Sequence, residues 1–235
     1  MPQRRALVTG GSRGLGSAIA DALDEAGCEV LIAVSREESL AGSTYEGFVA
    51  DLSSLEQTQD LAARLAAESI DILVNNAGIN RIAPFADIDP ADFQAVQDIN
   101  LRAPMLLCQS ALRHMRARGW GRIVNVASIW AEVSRAQRGS YSASKAGLVG
   151  MTRALAAEVA CDGVLVNCVS PGVIETDLTL QVLGTEGVAR IQQEIPIGRL
   201  GRPAEVAALV AFLASEQNTY ISGQAILIDG GFTSV

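Results

Sequence analysis

A short apolar run at residues 5–8 stops at Thr9-Gly10-Gly11-Ser12-Arg13-Gly14-Leu15-Gly16, and a helical pattern takes over from Leu15 to about Ala26. No other feature constrains the chain as much as this strand, glycine cluster and helix in direct succession. Glycines at such a junction let the backbone turn tightly and lie against a bulky group, while the first helical turn offers unpaired N–H groups and partial positive charge. The rhythm then repeats to the end of the sequence. Apolar runs follow at 29–34, 48–49, 72–74, 122–127, 164–169 and 225–228, with helical patterns between them at about 55–67, 91–118, 139–160 and 203–213. Near-continuous apolar runs separated by helices imply parallel strands buried on both faces. The fold class is therefore α/β, an open, doubly wound parallel sheet of about seven strands with helices on both faces.

A length of 235 residues fits one domain spanning 1–235 around that sheet. Hydrophobic residues make up 49% of the chain and charged residues 19%, which excludes a disordered polymer. With 26 acidic against 18 basic residues, the net charge of -8 argues against nucleic acid or an anionic membrane as partner. A small anion needs only a local basic spot. No run approaches the roughly 20 apolar residues of a membrane span, and the run at 6–8 is too short for a signal-peptide core, so a cytoplasmic location is expected. Cys28, Cys108, Cys161 and Cys168 form no CxxC pair and have no nearby histidine, which predicts reduced thiols and no metal. The interval 174–199 carries Gly184, Gly187, Pro196 and Gly198, a weak strand signal and a short helical pattern. A long irregular stretch after the sixth strand is expected to be a lid over the site.

The glycine junction predicts a Rossmann-type dinucleotide site in which Gly10, Ser12, Arg13, Gly14, Leu15 and Gly16 receive a pyrophosphate. Asp51-Leu52, after the third strand, is placed either to meet an adenine amino group or simply to make a turn. Asn76-Ala77-Gly78, with Asn75 before it, ends the fourth strand with small residues against which a cofactor can lie. Sites for NAD usually carry a carboxylate at the end of the second strand, where it holds the ribose 2′-OH. Here that position reads Ser35-Arg36, and Arg13 stands in the glycine loop. Two guanidiniums and a hydroxyl suit a 2′-phosphate, so NADP(H) is preferred over NAD(H), although Glu37 and Glu38 could fold back onto a 2′-OH.

At the other end of the site, Ser128 closes the fifth strand and Tyr141-Ser142-Ala143-Ser144-Lys145 opens the next helix. Spacing of i,i+4 puts phenol and ammonium on one helix face. A phenol of pKa near 10 is a poor proton shuttle at neutral pH, and an adjacent ammonium with a positively charged nicotinamide would bring it towards the working range. Taken alone, the pair reads equally well as an ordinary Tyr/Lys contact.

Together with the glycine loop, Asn75–Gly78, Asn100 in the long helix and Pro171-Gly172 after the sixth strand, these residues resemble the short-chain dehydrogenase/reductase family over essentially the whole chain. The resemblance implies that Tyr141 is the general acid and that Lys145 lowers its pKa and holds the nicotinamide ribose. It implies that Ser128 hydrogen-bonds the carbonyl oxygen and that Asn100 binds a water linking Lys145 to solvent. Pro171, Gly172, Val173, Ile174 and Thr176 would lie against the nicotinamide, no metal is required, and the long helices at 91–118 and 139–160 would build a homotetramer. A non-catalytic dinucleotide-sensing protein of the same fold is disfavoured because the four catalytic side chains are all present.

Within the family the sequence is similar to 3-oxoacyl-carrier-protein reductases, including Gly201-Arg202-Pro203 and the closing Asp229-Gly230-Gly231, a likeness that extends to many sugar, polyol and steroid reductases. The alternative is an NAD(P)-dependent dehydrogenase of a sugar, a polyol or a small hydroxy or keto acid. Arg81, Arg135 and Arg138 fall in segments expected to shape substrate binding, where they focus an anionic ketone or are plain solvated arginines. Trp130 walls the pocket or packs under the lid. Cys161-Asp162-Gly163 stands where carrier-protein reductases often show an arginine, which leaves Arg116, Arg118 and Arg122 as the remaining source of a basic docking patch. His114 is expected at the surface or an interface.

Overall fold

The seven apolar runs pair into one all-parallel sheet in the computed structural model, which describes residues 3–235 apart from the side chain of residue 178. The strands are β1 (Arg5–Thr9), β2 (Glu29–Val34), β3 (Gly47–Val49), β4 (Ile72–Asn75), β5 (Gly121–Val126), β6 (Val164–Pro171) and β7 (Ala225–Ile228), in the order β3-β2-β1-β4-β5-β6-β7. Strand order reverses between β1 and β4. Their carboxyl ends therefore open a crevice, the place where doubly wound sheets bind ligands.

Side chains on a strand alternate between faces, and both faces are apolar here. Ala6, Val8, Ile32, Val74 and Val124 join Ile19, Leu23, Val206 and Val210 of helices α1 (Gly14–Glu25) and α8 (Pro203–Ala214). Leu7, Leu31, Leu73 and Ile123 face the other way, against Leu61 and Leu65 of α3 (Leu55–Glu68) and Leu107 and Met115 of α5 (Ala103–Arg118). Helix α6 (Gly139–Val159) packs on the same side through Ala156 and Val159. This double cover is why the strands read as unbroken apolar runs.

Three elements depart from the sequence expectation. The helical pattern at 91–118 is not one helix: α4 (Pro90–Gln97) and α5 are joined by a π-helical turn over Asp98–Arg102. The interval 174–199 is not mainly irregular, since α7 (Asp177–Glu194) fills most of it, kinked at Gly184, whose φ of 63° and ψ of 177° are non-helical. A five-residue helix α2 (Glu37–Ala41) follows β2, too short and exposed to announce itself by periodicity.

At the amino-terminal edge of the sheet, buried Asp71 accepts from Arg5 N (3.2 Å) and lies 3.3 Å from Arg118 and His114 and 3.7 Å from Arg4. The Arg4 and Arg122 guanidiniums lie 3.8 and 4.4 Å from the Trp120 ring centroid, a cation–π arrangement. Arg122 is buried and donates to the carbonyls of Ser215, Gly121, Gly163 and Asn218. Arg116 pairs with Asp162 (2.7 Å). The patch that these arginines could form is engaged in ion pairs and backbone contacts, with Arg116 and Arg118 still partly exposed. It sits at the start of β5, about 20 Å from Ser128 at 3.3 Å per strand residue. His114 is likewise drawn in by Asp71 rather than free at the surface. All four cysteines are unpaired, with Cys161 alone exposed.

Candidate active site

The crevice between β1 and β4 is clamped by side chains from both strand ends. Thr9 Oγ1 accepts from the backbone N–H groups of Asn76 (3.0 Å) and Ala77 (2.9 Å), and Asn76 Nδ2 donates to Thr9 O (2.9 Å). Thr9 was not among the residues singled out in the sequence, although a threonine ending the first strand is the only local hint of this clamp. Gly10 turns with φ 67° and donates to Ala33 O (2.7 Å), tying the loop to β2. A Cβ on Gly16 would overlap the Gly10 carbonyl oxygen, so helix and loop touch backbone to backbone only because residue 16 is glycine. Helix α1 begins with no side-chain cap and no acidic residue in its first turn. Its free N–H groups therefore face the crevice without a competing anion. This cradle fits a pyrophosphate.

Arg13 and Arg36 occupy the N-cap positions of α1 and α2, both exposed and without an ion pair among the described residues. Asp51 Oδ1 accepts from Ser53 N (2.9 Å) and Ser53 Oγ (2.7 Å), and the α3 cap is Ser54. Leu52 is buried below it. On the far side, residues after β6 run beside Gly201, with Gly201 N donating to Val173 O (3.0 Å) and Glu175 N to Gly201 O (2.8 Å). Thr176 caps α7 by accepting from Thr179 N (3.2 Å), and its methyl faces Gly14 across the crevice. The loop after β1 and the segment after β6 thus meet.

The reacting groups assemble at the ends of β4 and β5. Ser128 Oγ accepts from Trp130 N (3.2 Å), and its hydroxyl lies near enough to the Tyr141 phenol to favour the phenolate. Lys145 is buried, lies with Nζ 5.7 Å from the Tyr141 ring centroid, and donates to Val126 O (2.7 Å). Gly78 keeps this place open, since a Cβ there would lie 3.4 Å from Lys145 Nζ and 3.2 Å from Asn100 Oδ1. Asn100 sits in the π-helical turn, fully buried, donating to Ile79 O (2.9 Å) and Ser144 Oγ (3.0 Å) and accepting from Ile79 N (2.9 Å). Its side chain is a strut between the loop after β4 and helix α6, a use that leaves Ser144 as a further site residue the sequence reading passed over.

Electrostatics qualify the expected phenol activation. Desolvation raises the Tyr141 pKa above its ordinary value, while the Ser128 hydrogen bond and the Arg138 charge pull it down. Two cations flank the phenol: Arg138, three residues before it, and Lys145, whose Nζ lies 5.7 Å from the ring centroid. Burial pushes Lys145 down to about 8. The folded protein then holds this proton less tightly than the unfolded chain, which carries more protons between pH 8 and about 10.5. The lysine's contribution to stability accordingly rises with pH across that window. Comparing wild type with Lys145→Met by chemical denaturation, the difference in unfolding free energy is expected to move in favour of wild type by up to about 1.4 kcal/mol per pH unit between pH 8 and 10. A difference that stays flat would show the ammonium to be well solvated.

The candidate substrate residues separate. Trp130 packs edge-on against Phe232 (centroids 5.9 Å apart, 83°), and Phe232 in turn lies against the Ile191, Ile195 and Leu200 cluster beneath α7. Arg81 pairs with Asp92 (3.3 Å) and Arg135 with Glu194 (3.5 Å). Arg138, the N-cap of α6, is half-buried and has no such partner among the described residues. Among the described residues no three His, Cys, Asp or Glu side chains cluster as metal ligands, and no helix is long and apolar enough to cross a membrane.

Comparison with known proteins agrees with this geometry. The family model described as enoyl-(acyl carrier protein) reductase matches residues 10–233. A 3-oxoacyl-[acyl-carrier-protein] reductase of Rickettsia bellii is 41% identical over 236 residues, covering 98% of this chain and 97% of the relative. Among solved structures, a candidate NAD(P)-dependent gluconate 5-dehydrogenase from Beutenbergia cavernae with bound NADP is 38% identical with a TM-score of 0.93, covering 99% of this chain and 97% of the other. A gluconate 5-dehydrogenase from Burkholderia cenocepacia, in complex with NADP and tartrate, is 33% identical with a TM-score of 0.90, covering 100% and 97%.

Proposed function

The chain belongs to the short-chain dehydrogenase/reductase family, and on that premise we propose that it catalyses the reversible, NADP(H)-dependent reduction of a ketone to a secondary alcohol, in the manner of 3-oxoacyl-carrier-protein reductases. The observation that carries this reading is the convergence of Ser128, Tyr141, Lys145 and Asn100 beside a glycine cradle at the switch point of the sheet. A nicotinamide held in this cradle would supply the hydride in reduction and accept it in oxidation. Tyr141 gives its phenolic proton to the alkoxide oxygen as charge develops there, and Ser128 donates a hydrogen bond to the same oxygen. Lys145 holds the nicotinamide ribose and favours the phenolate that forms. Asn100, fixed to Ile79 and Ser144, holds the loop after β4 in place and supports a water that returns protons to Lys145.

A lid spanning 174–199 over one domain, a homotetramer built through α5 and α6, and a cytoplasmic location complete the reading. The nicotinamide-side contacts are assigned to Pro171, Gly172, Val173, Ile174 and Thr176, and the adenine end to Ser35, Arg36, Asp51 and Leu52. A second reading, a sugar-acid or small hydroxy-acid dehydrogenase, is favoured by the unpaired Arg138 and by the gluconate dehydrogenases among the structural neighbours.

The cofactor assignment is tested on Arg36. Fluorescence titration should show NADPH binding more tightly than NADH, and Arg36→Ala should erase about 10- to 100-fold of that preference, the worth of a charge-assisted bond to phosphate. Equal binding of both nucleotides by wild type would move the ribose contact to Glu37 and direct the substrate search to NAD and alcohols.

A further inference from the structure

Three arginines stand on the substrate side of the site, and two are neutralised by carboxylates of the chain itself: Arg81 by Asp92 and Arg135 by Glu194. Arg138 differs. It occupies the N-cap of α6, three residues before Tyr141, so its side chain shares a face with the phenol in the first helical turn. It is half-buried, and no carboxylate lies within ion-pair distance among the described residues. The residue before it, Gln137, holds a left-handed backbone with φ 69°, which a side chain of this kind seldom adopts. Ala83 N donates to the Gln137 carbonyl (3.3 Å), so the chain enters α6 at an angle fixed by the loop after β4. The placement is therefore imposed from two sides of the site. The guanidinium and the phenol act on one another's charge, and burial disfavours the guanidinium's charged form. A desolvated cation without a counter-ion is unfavourable until an anion arrives.

We propose that Arg138 receives the carboxylate of a small keto acid, so that carboxylate-bearing ketones are substrates of this centre. The inference rests on the reading of the site as a ketone reductase and narrows its substrate class. Side chains at i and i+3 are about 5–6 Å apart at Cβ, which suits a ketone and a carboxylate separated by one to three carbons. One free guanidinium matches one negative charge. A phosphate dianion calls for a second cation, and the neighbouring arginines are already paired. A neutral thioester offers Arg138 no anion, and the arginines that could have docked a carrier lie at the opposite end of β5.

The test compares acetoacetate with its methyl ester, following NADPH oxidation in wild type, Arg138→Gln, Arg138→Lys and Arg64→Gln. Wild type is expected to favour the acid over the ester in kcat/KM by about 10-fold or more, and Arg138→Gln to lower that ratio by about 10- to 100-fold, mainly through the KM of the acid. Arg138→Lys should restore part of the ratio, and Arg64→Gln, an exposed arginine on α3 over the Phe48 ring, should leave it where it was. An acid-to-ester ratio near one in wild type overturns the proposal without any variant. So does a loss in Arg138→Gln that is equal for acid and ester, which would mean that Arg138 acts on Tyr141 alone. Preference for dihydroxyacetone phosphate over acetoacetate overturns the carboxylate assignment in favour of phosphate. Reduction of the ester with no preference for the acid sinks this inference but leaves the reductase reading standing. Failure to reduce any ketone while NADPH binds sinks both.

Discussion

Tyr141→Phe is expected to lower kcat by about a hundred- to ten-thousandfold, the range associated with loss of a general acid, while NADPH still binds. The substitution removes one oxygen from a partly exposed side chain and leaves the ring in place beside Lys145. The alkoxide then has no proton donor at the end of β5, and Ser128 supplies a hydrogen bond without a proton to give. Single-turnover reduction under saturating NADPH isolates the chemical step from product release. The pH profile carries a second expectation: the limb reporting the phenol should vanish in Tyr141→Phe, because no other titrating acid touches the Ser128 hydroxyl in the described contacts. Residual turnover within about tenfold of wild type would mean that water delivers the proton and that Tyr141 merely positions the substrate.

Gly16→Ala should disable the cofactor site from the opposite side. An added Cβ would overlap the Gly10 carbonyl and press on Asn76 Nδ2 at 2.6 Å, both held in the clamp between β1 and β4. Neither neighbour is the loose end of a flexible side chain, so the helix or the loop must move. Overpacking of this kind costs about 1–3 kcal/mol of stability, occasionally more. NADPH at a hundredfold excess over its Kd should raise the stability of wild type by about 2.7 kcal/mol, and that increment should disappear in the variant. Thermal unfolding with and without NADPH separates the two losses. A variant that keeps the full NADPH increment would show that the α1 terminus is not where the pyrophosphate sits.

The strands were legible because each is covered on both faces, which leaves few polar interruptions to blur the runs. The pairing of Tyr141 with Lys145 was legible because helical spacing alone sets it. The break between α4 and α5 was not: α4 buries only Val96, too little to set a phase against the apolar face of α5. Its consequence, Asn100 turned into the loop at Ile79, needs the tertiary structure to be seen. Helix α7 reads in sequence only as a short helical pattern because Gly184 and Gly187 lower helix propensity and its apolar residues join a small cluster of Ile191, Ile195 and Leu200 rather than the sheet. Nor could spacing reveal which arginines were already paired. Arg81, Arg135 and Arg138 look alike in sequence, and only the positions of Asp92 and Glu194 tell them apart.

The Asp71 cluster and the Trp120 stack hold the sheet at its amino-terminal edge, while every proposed reacting group stands at the carboxyl ends of the strands. The ion-pair cluster and the proposed reacting groups thus lie at opposite ends of the strands. Loops at the reacting end can therefore change in length and side chain without loosening the anchor that keeps the strands in register. A chain organised this way can drift from one ketone to another in evolution, or be pushed there by directed mutagenesis, while its thermal stability stays nearly constant.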